Sequence, residues 1–316
     1  MNEDWVRIFA PATVANVGPG FDCFGFPLEA PGDVVAARVA AEPGVRITGI
    51  TGDDGALPYD IERNTAGRAA LSVWASMPAS ADRGLEIRIE KGLPPCSGMG
   101  SSAASAVAGA VAAATVAMAV AGVPYDRTRV LSAALDGEAV AAGARHADNV
   151  APALLGGFTI ARPGDPPSIA RLEPRLPLWC AVVMPAFAVP TKVARDALPA
   201  HVPMADATAN VAHAATLVVA LLEGNADLLR AAFSDRLAEP YRARFIPGFA
   251  EAKSAALAAG AYGCSISGAG PSLFCLAGER ETAAASAAQI AKVFADHGHA
   301  AETFLSPLSL QGARRL

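Results

Sequence analysis

Gly92-Leu93-Pro94-Pro95-Cys96-Ser97-Gly98-Met99-Gly100-Ser101-Ser102-Ala103-Ala104 stands between a strand-like run ending at Glu90 and an alanine-rich run from Ala103 to Val123. Its glycines free the backbone to turn several N–H groups toward one point. A helix starting behind them adds about half a positive charge there. Strand, glycine loop, helix is the order that builds a polyphosphate cradle. The hydroxyls of Ser101 and Ser102 suit phosphate oxygens or Mg²⁺, a hard cation that prefers oxygen ligands. Read alone, a serine-capped helix after an ordinary Gly/Pro loop accounts for the same letters equally well.

The loop also fits G-x-G-x-x-A at Gly98, Gly100 and Ala103. A dinucleotide fold needs a ribose-binding acid after a second strand about 20 residues on, whereas that stretch here still reads as helix, with Asp126 at a turn. No G-x-x-x-x-G-K-[ST] occurs in the chain, which excludes a P-loop.

Outward from the loop, Val6 to Ala10, Asp33 to Ala41, Val45 to Thr48 and Leu85 to Glu90 carry strand patterns, and Asn64 to Trp74 carries helical periodicity. A second helix is expected from Tyr125 to Ala142, with Pro124 and Asp126 as its start signals. Gly156-Gly157 opens a strand that runs into a Pro/Gly-rich linker, and the apolar run Leu178 to Phe187 starts a fresh buried strand. That places a domain boundary near Gly164. Beyond it lie helical stretches at 207–223, 226–238, 248–259 and 279–297 and a strand-turn-strand at 261–277. The expected fold class is α+β, with domains 1–164 and 165–316, the second an α/β sandwich.

The 316 residues are 53% hydrophobic and 17% charged, which supports a sizeable core and excludes wholesale disorder. The net charge of −5 comes without any Lys/Arg-rich run, so neither nucleic acid nor an anionic membrane is an expected partner. No charge occurs between Lys91 and Asp126, long enough to cross a bilayer, yet alanine is poor hydrocarbon-seeking material and good material for a buried helix. The five cysteines, Cys23, Cys96, Cys180, Cys264 and Cys275, are scattered and form no C-x-x-C pair. They suggest neither a disulfide framework nor a zinc site, and with no signal-peptide pattern at the N-terminus a cytoplasmic location is expected.

Three further segments bear on function. They are Ala10-Pro11-Ala12-Thr13-Val14-Ala15-Asn16-Val17-Gly18-Pro19-Gly20-Phe21-Asp22-Cys23-Phe24-Gly25, then Gly137-Glu138 followed by Arg145-His146-Ala147-Asp148-Asn149-Val150-Ala151-Pro152, then Gly263-Cys264-Ser265-Ile266-Ser267-Gly268-Ala269-Gly270-Pro271-Ser272. With these in order, from about Phe9 to Leu276, the chain resembles the GHMP kinases and, within them, the homoserine kinases. The resemblance implies a two-domain GHMP kinase fold with an N-terminal nucleotide-binding domain. It also implies ATP and Mg²⁺ as cofactors and transfer of phosphate to L-homoserine, a step of threonine biosynthesis.

By the same resemblance, Pro95, Gly98, Gly100, Ser101, Ser102 and Ala103 wrap the ATP phosphates, and Ser102 works with Glu138 on the metal. Asn64 matches an adenine-side contact, although a helix N-cap explains it equally well. Asn16, Asp22, His146, Asn149 and Thr191 match the amino-acid pocket. Asp22 suits the ammonium group, and Arg195 and Arg242 suit the α-carboxylate, with Arg236 and Arg244 close enough in sequence to compete with Arg242.

Met99 replaces the commoner Leu, a nearly volume-conserving change. Asn149 falls where mevalonate kinases carry an Asp, and an amide accepts no proton. The implied chemistry therefore relies on positioning and electrostatics, with Asp148 read as a turn residue on an irregular segment. The alternatives are a GHMP kinase for another small alcohol such as mevalonate, or a GHMP-fold protein that binds ligand without catalysis. Intact Ser101, Ser102 and Glu138 speak against the latter. The oligomeric state is left open, a homodimer being one option.

Overall fold

β1 (Val6–Ala15) alternates buried and exposed residues over its first half and is buried throughout its second, so one face of its early part meets solvent while its later part is covered on both sides. The computed structural model that shows this describes residues 5–77, 82–122, 124 and 126–316. β2 (Phe24–Ala40) pairs antiparallel with β1, in two registers separated by an irregularity at Pro11/Thr13. β2 therefore starts well before the expected Asp33. Leu28 to Pro31 fall in the gap between the registers, where a proline breaks no ladder bond. β3 (Gly44–Thr51), α1 (Thr65–Ala75) and β4 (Gly84–Glu90) follow, with β4 parallel to β3 and antiparallel to β2.

α2 (Ser101–Ala121) packs on β1 and β2 on one side and on α1 and α3 (Arg127–Ala142) on the other. Alanine serves here because small side chains let backbones approach from every side, and the helix is mostly buried. Val123 and Tyr125, placed in helices by the sequence reading, lie outside the described residues.

α4 (Ala147–Leu155) corrects the reading of this segment as irregular. Pro152 inside it has no N–H to return to the Asp148 carbonyl, and β2 passes so close that a Cβ on Gly25 would lie 1.9 Å from that oxygen. Packing against β2 makes a helix of a segment whose local pattern argues against one.

β5 (Phe158–Arg162) pairs with β2 and with β6 (Ser168–Leu172), completing a seven-stranded sheet together with the C-terminal β11 described below. The turn at 163–167, near the boundary read from the sequence, joins two strands of this one sheet.

The rest of the chain forms β7 (Trp179–Pro185), α5 (Thr191–Asp196), α6 (Met204–Glu223), α7 (Ala226–Ala232), α8 (Glu239–Arg242), α9 (Phe249–Ala258), β8 (Gly263–Ile266), β9 (Leu273–Ala277), α10 (Arg280–Asp296) and β10 (Ala301–Pro307). Its four strands run antiparallel in the order β10-β7-β9-β8. The helix expected to reach 238 stops at Ala232, because the Asp235 carboxylate takes the N–H groups of Leu237, Ala238 and Glu239 into a new turn.

The continuous apolar run in β7 follows from burial on both faces. Cys180 and Val182 join the core built on β1 and β2, while Ala181 and Val183 join a second cluster with Ile290 and Phe294 of α10. Phe26 of β2 meets Phe274 of β9 edge-on at 6.2 Å, so the two sheets share one core. β11 (Arg314–Arg315) then returns to pair with the outer edge of β1.

Asn64 is the N-cap of α1. It accepts from Gly67 N (3.1 Å), donates to Pro58 O (2.9 Å) and is 3% exposed. Both ends of its amide are thus used in the fold. Asn64→Ala should lower stability by about 1 kcal/mol, read from the midpoint of urea unfolding.

Candidate active site

Gly100 begins α2 in the left-handed region (φ 64°) and offers no side-chain cap, so the N–H groups of the first helical turn carry no such partner. A Cβ on Gly100 would lie 2.0 Å from Thr13 Oγ1 and 2.8 Å from Asn149 Oδ1, so only glycine lets the loop close there. The loop is clamped from three directions. Thr13 N donates to Met99 O (3.0 Å), Ser267 Oγ donates to Gly98 O (2.6 Å), and Ser272 Oγ donates to Ser97 O.

Beneath the loop lies a buried ion pair that the sequence reading missed. Asp33 accepts from the N–H groups of Gly92 (3.0 Å) and Leu93 (3.1 Å) and pairs with Lys91, whose ammonium also donates to Ser101 Oγ and Ser105 Oγ, both at 2.9 Å. The two side chains are 0% and 5% exposed. The available signal was the position of Lys91 as the last charge before a long uncharged stretch, since a cation entering a core requires a partner.

The pair also separates the two serines. The Ser101 hydroxyl is committed to Lys91 and to Leu93 O (3.1 Å), whereas the Ser102 hydroxyl lines the cleft with no hydrogen bond to the described residues. Ala103 stays off the cleft wall with its methyl buried, so what it offers a ligand is its backbone N–H.

The cleft is walled by Gly98, Gly100, Ser101 and Ser102, by Pro95, Glu138, His146, Asp148 and Asn149, and from the other sheet's side by Thr191, Arg195 and Arg242, with Asn16 and Asp22 between. Thr65, rather than Asn64, reaches it from α1. Among the described residues no three carboxylates, histidines or cysteines form a metal cage. Glu138 nevertheless fits Mg²⁺: it is 3% exposed, and its buried Oε2 has no hydrogen-bond partner among the described residues. The Ser102 hydroxyl lines the same cleft, and both groups offer the hard oxygen that Mg²⁺ prefers.

At the far end Asn16 holds a tight turn. Its Oδ1 accepts from Asp22 N (2.8 Å) and its amide donates to Gly268 O (2.7 Å). Asp22 and Arg195 form a two-pronged ion pair, both contacts at 2.8 Å, and this hydrogen-bonded pairing raises the Arg195 pKa. Arg242 is different: 3% exposed, it donates, among the described residues, to the carbonyls of Ala194 (3.3 Å) and Gly268 (3.1 Å) and to no carboxylate. Burial, with Arg195 adding to it, lowers its pKa. Its rivals do not line the cleft.

Arg195 can only donate, so at His146 Nε2 (3.2 Å) the imidazole accepts and its Nδ1–H points to Glu138 Oε1 at 3.4 Å. That contact with Glu138 raises the His146 pKa. Asn149 Oδ1 accepts from Thr13 Oγ1 (2.8 Å), which leaves its amide N–H groups for a ligand.

The GHMP kinases N terminal domain matches residues 64–157 and the GHMP kinases C terminal domain residues 217–296. A homoserine kinase of Xanthomonas campestris is 42% identical over 98% of this chain and 94% of its own length. The chain belongs to the homoserine kinase family of GHMP kinases. A homoserine kinase of Pyrococcus abyssi is 43% identical over 85% of this chain and 87% of its own length. The crystal structure of the homoserine kinase from Cytophaga hutchinsonii superposes with a TM-score of 0.92 at 40% identity, covering 100% of this chain and 98% of that one.

Within this homoserine kinase fold Asp148 stands in the first turn of α4, 2% exposed, rather than in a loop. Burial first, then the charges of Asp22 and Glu138, push its carboxyl from the ordinary 3.8 up to about 7, with His146 opposing them. An acid with a raised folded pKa favours the fold only while protonated. Its contribution is full below about pH 4 and is lost as pH rises through about 7. Asp148→Asn should therefore be more stable than the parent chain at pH 8, with the gap narrowing toward pH 4, measured as thermal midpoints across that range.

Proposed function

We propose that this family member transfers the γ-phosphoryl group of ATP to the side-chain hydroxyl of L-homoserine, giving O-phospho-L-homoserine and ADP, a step of threonine biosynthesis. The observation that carries the reading is the Arg242 guanidinium, buried without a carboxylate partner among the described residues, beside the Asp22–Arg195 pair and in the same cleft as the uncapped start of α2. A zwitterionic amino acid meets this arrangement with both ends: its carboxylate serves Arg242 and Arg195, and its ammonium serves Asp22. Mevalonate offers a carboxylate and no amine. A protein that only binds ligand has no use for the unpartnered Glu138 oxygen.

The N–H groups at the start of α2 and the clamped glycine loop hold the phosphates and receive charge as the bond to ADP loosens. Ser102 and Glu138 would hold Mg²⁺, which when bound neutralises charge on the phosphates. The Asn149 amide donates toward the substrate hydroxyl oxygen and fixes its line of attack on the γ-phosphorus. A phosphoryl transition state of loose character asks little of a base, and a γ-phosphate oxygen receives the hydroxyl proton.

The reading is tested by a substrate panel with ATP and Mg²⁺ comparing homoserine, serine, threonine and mevalonate; preference for mevalonate overturns it. Ser102→Ala and Glu138→Gln should each lower kcat by about 10²-fold or more with the fold retained. Arg242→Ala should raise KM for homoserine far more than KM for ATP, and equal changes in both would remove the carboxylate assignment. For the proton, kcat should lack an acidic limb near pH 7. Such a limb, abolished by Asp148→Asn together with a loss of about 10²-fold, would assign the proton to Asp148.

A further inference from the structure

We infer that Phe21 is a positioning residue whose ring is the common platform holding the Arg195 and Arg242 guanidinium groups where the substrate carboxylate docks. The Arg195 Cζ lies over the Phe21 ring at 5.7 Å from its centroid and the Arg242 Cζ at 5.1 Å, so one aromatic side chain faces both cations. The inference rests on the proposed function for what the arginines bind, and on these contacts for how they are held.

Two like charges brought together without a ligand repel one another, and the site offers them unequal help. Arg195 has the Asp22 carboxylate, whereas among the described residues Arg242 has two backbone carbonyls and the face of Phe21. The negative face of an aromatic ring attracts a cation, more strongly as water is excluded. Phe21 thus stabilises the cation that lacks a counter-ion while leaving its outer N–H groups free for a carboxylate, which a competing acid would not do.

The aim of the ring is itself fixed. Phe21 directly precedes Asp22, which sits in the left-handed region (φ 53°) opposite Asn16 (φ 60°), and the two are tied by the bond from Asp22 N to Asn16 Oδ1. Non-glycine residues keep such conformations only where surrounding contacts hold them. Asn16 in turn shares the Gly268 carbonyl with Arg242, so the ring and one of its cations are referenced to the same oxygen. The Phe21 side chain itself makes none of the cleft's hydrogen bonds.

Phe21→Leu keeps the apolar bulk and removes the ring face. In the intact enzyme it should raise KM for homoserine by about tenfold, from two such contacts, with KM for ATP and kcat little changed. Phe21→Tyr should restore the parent value. With 3-aminopropan-1-ol, the substrate skeleton without its carboxylate, Phe21→Leu and the parent enzyme should behave alike. An unchanged KM for homoserine, equal rises in both KM values, or the same penalty on the carboxylate-free alcohol would each overturn the platform role.

A crystal structure of ligand-free Phe21→Leu tests the same claim without turnover: Arg242 should leave its place beside Ala194 O and Gly268 O, and retention of both contacts overturns it. If the parent enzyme does not phosphorylate homoserine, the functional reading fails, and this structure still decides the role of Phe21.

Discussion

The buried Asp33–Lys91 pair is the constraint from which the glycine-loop end of the cleft follows. Taking two charges out of water costs several kcal/mol each, which attraction between them offsets only if the remaining polar atoms are also bonded. Asp33 meets that condition with the N–H groups of Gly92 and Leu93, and Lys91 with the hydroxyls of Ser101 and Ser105. These bonds fix β2, the end of β4, the start of the glycine loop and the first turn of α2 against one another. The loop then closes on Thr13 and Asn149 where Gly100 has no side chain to obstruct it. A phosphate cradle made of backbone N–H groups is useful only if those groups are aimed before the ligand arrives.

The arginine end of the cleft is organised around carbonyl oxygens of the second sheet's side. Gly268 O accepts from both Asn16 and Arg242, and its N–H donates to Ala15 O, so the turn after β8 is bonded to the end of β1. Since Phe26 and Phe274 carry one core across both sheets, this junction is backed by apolar packing as well as by hydrogen bonds. The cleft lies along that junction, which is why residues from the start of the chain and residues from positions 191 to 270 face each other. The opposed charges of Asp22 and Arg195 neutralise each other across the cleft; in the proposed complex a zwitterion would replace that pairing with two new ones, while a ligand bearing one charge would leave a partner exposed.

Much of this was legible from local pattern. Glycine loops, an alanine-rich helix and β-branched strands are signalled by backbone freedom, propensity and periodicity, and these act over a few residues. Segments whose structure is set by distant contacts were not legible. The segment of α4 reads as irregular because Asp148 beside Asn149 suits a turn, and only its packing on Gly25 of β2 makes it a helix. Asn64 offered two readings that letters do not separate, and the bond to Gly67 N makes it a cap. Arg236, Arg242 and Arg244 look alike in sequence, and burial against Ala194 and Gly268 singles out Arg242.

By itself the sequence determined that the chain has an α+β fold, that a glycine-rich loop precedes a buried helix, and which residues of the family pattern are present. It did so because those features arise from neighbours along the chain. The tertiary structure alone decided that, among the described residues, Ser102 rather than Ser101 keeps a free hydroxyl and Glu138 holds an unpartnered oxygen, that Lys91 finds Asp33 across 58 residues, and that Phe21 lies beneath two arginines. Each of these depends on which groups meet after burial, where a charge or a polar atom must be satisfied by whatever the fold brings to it.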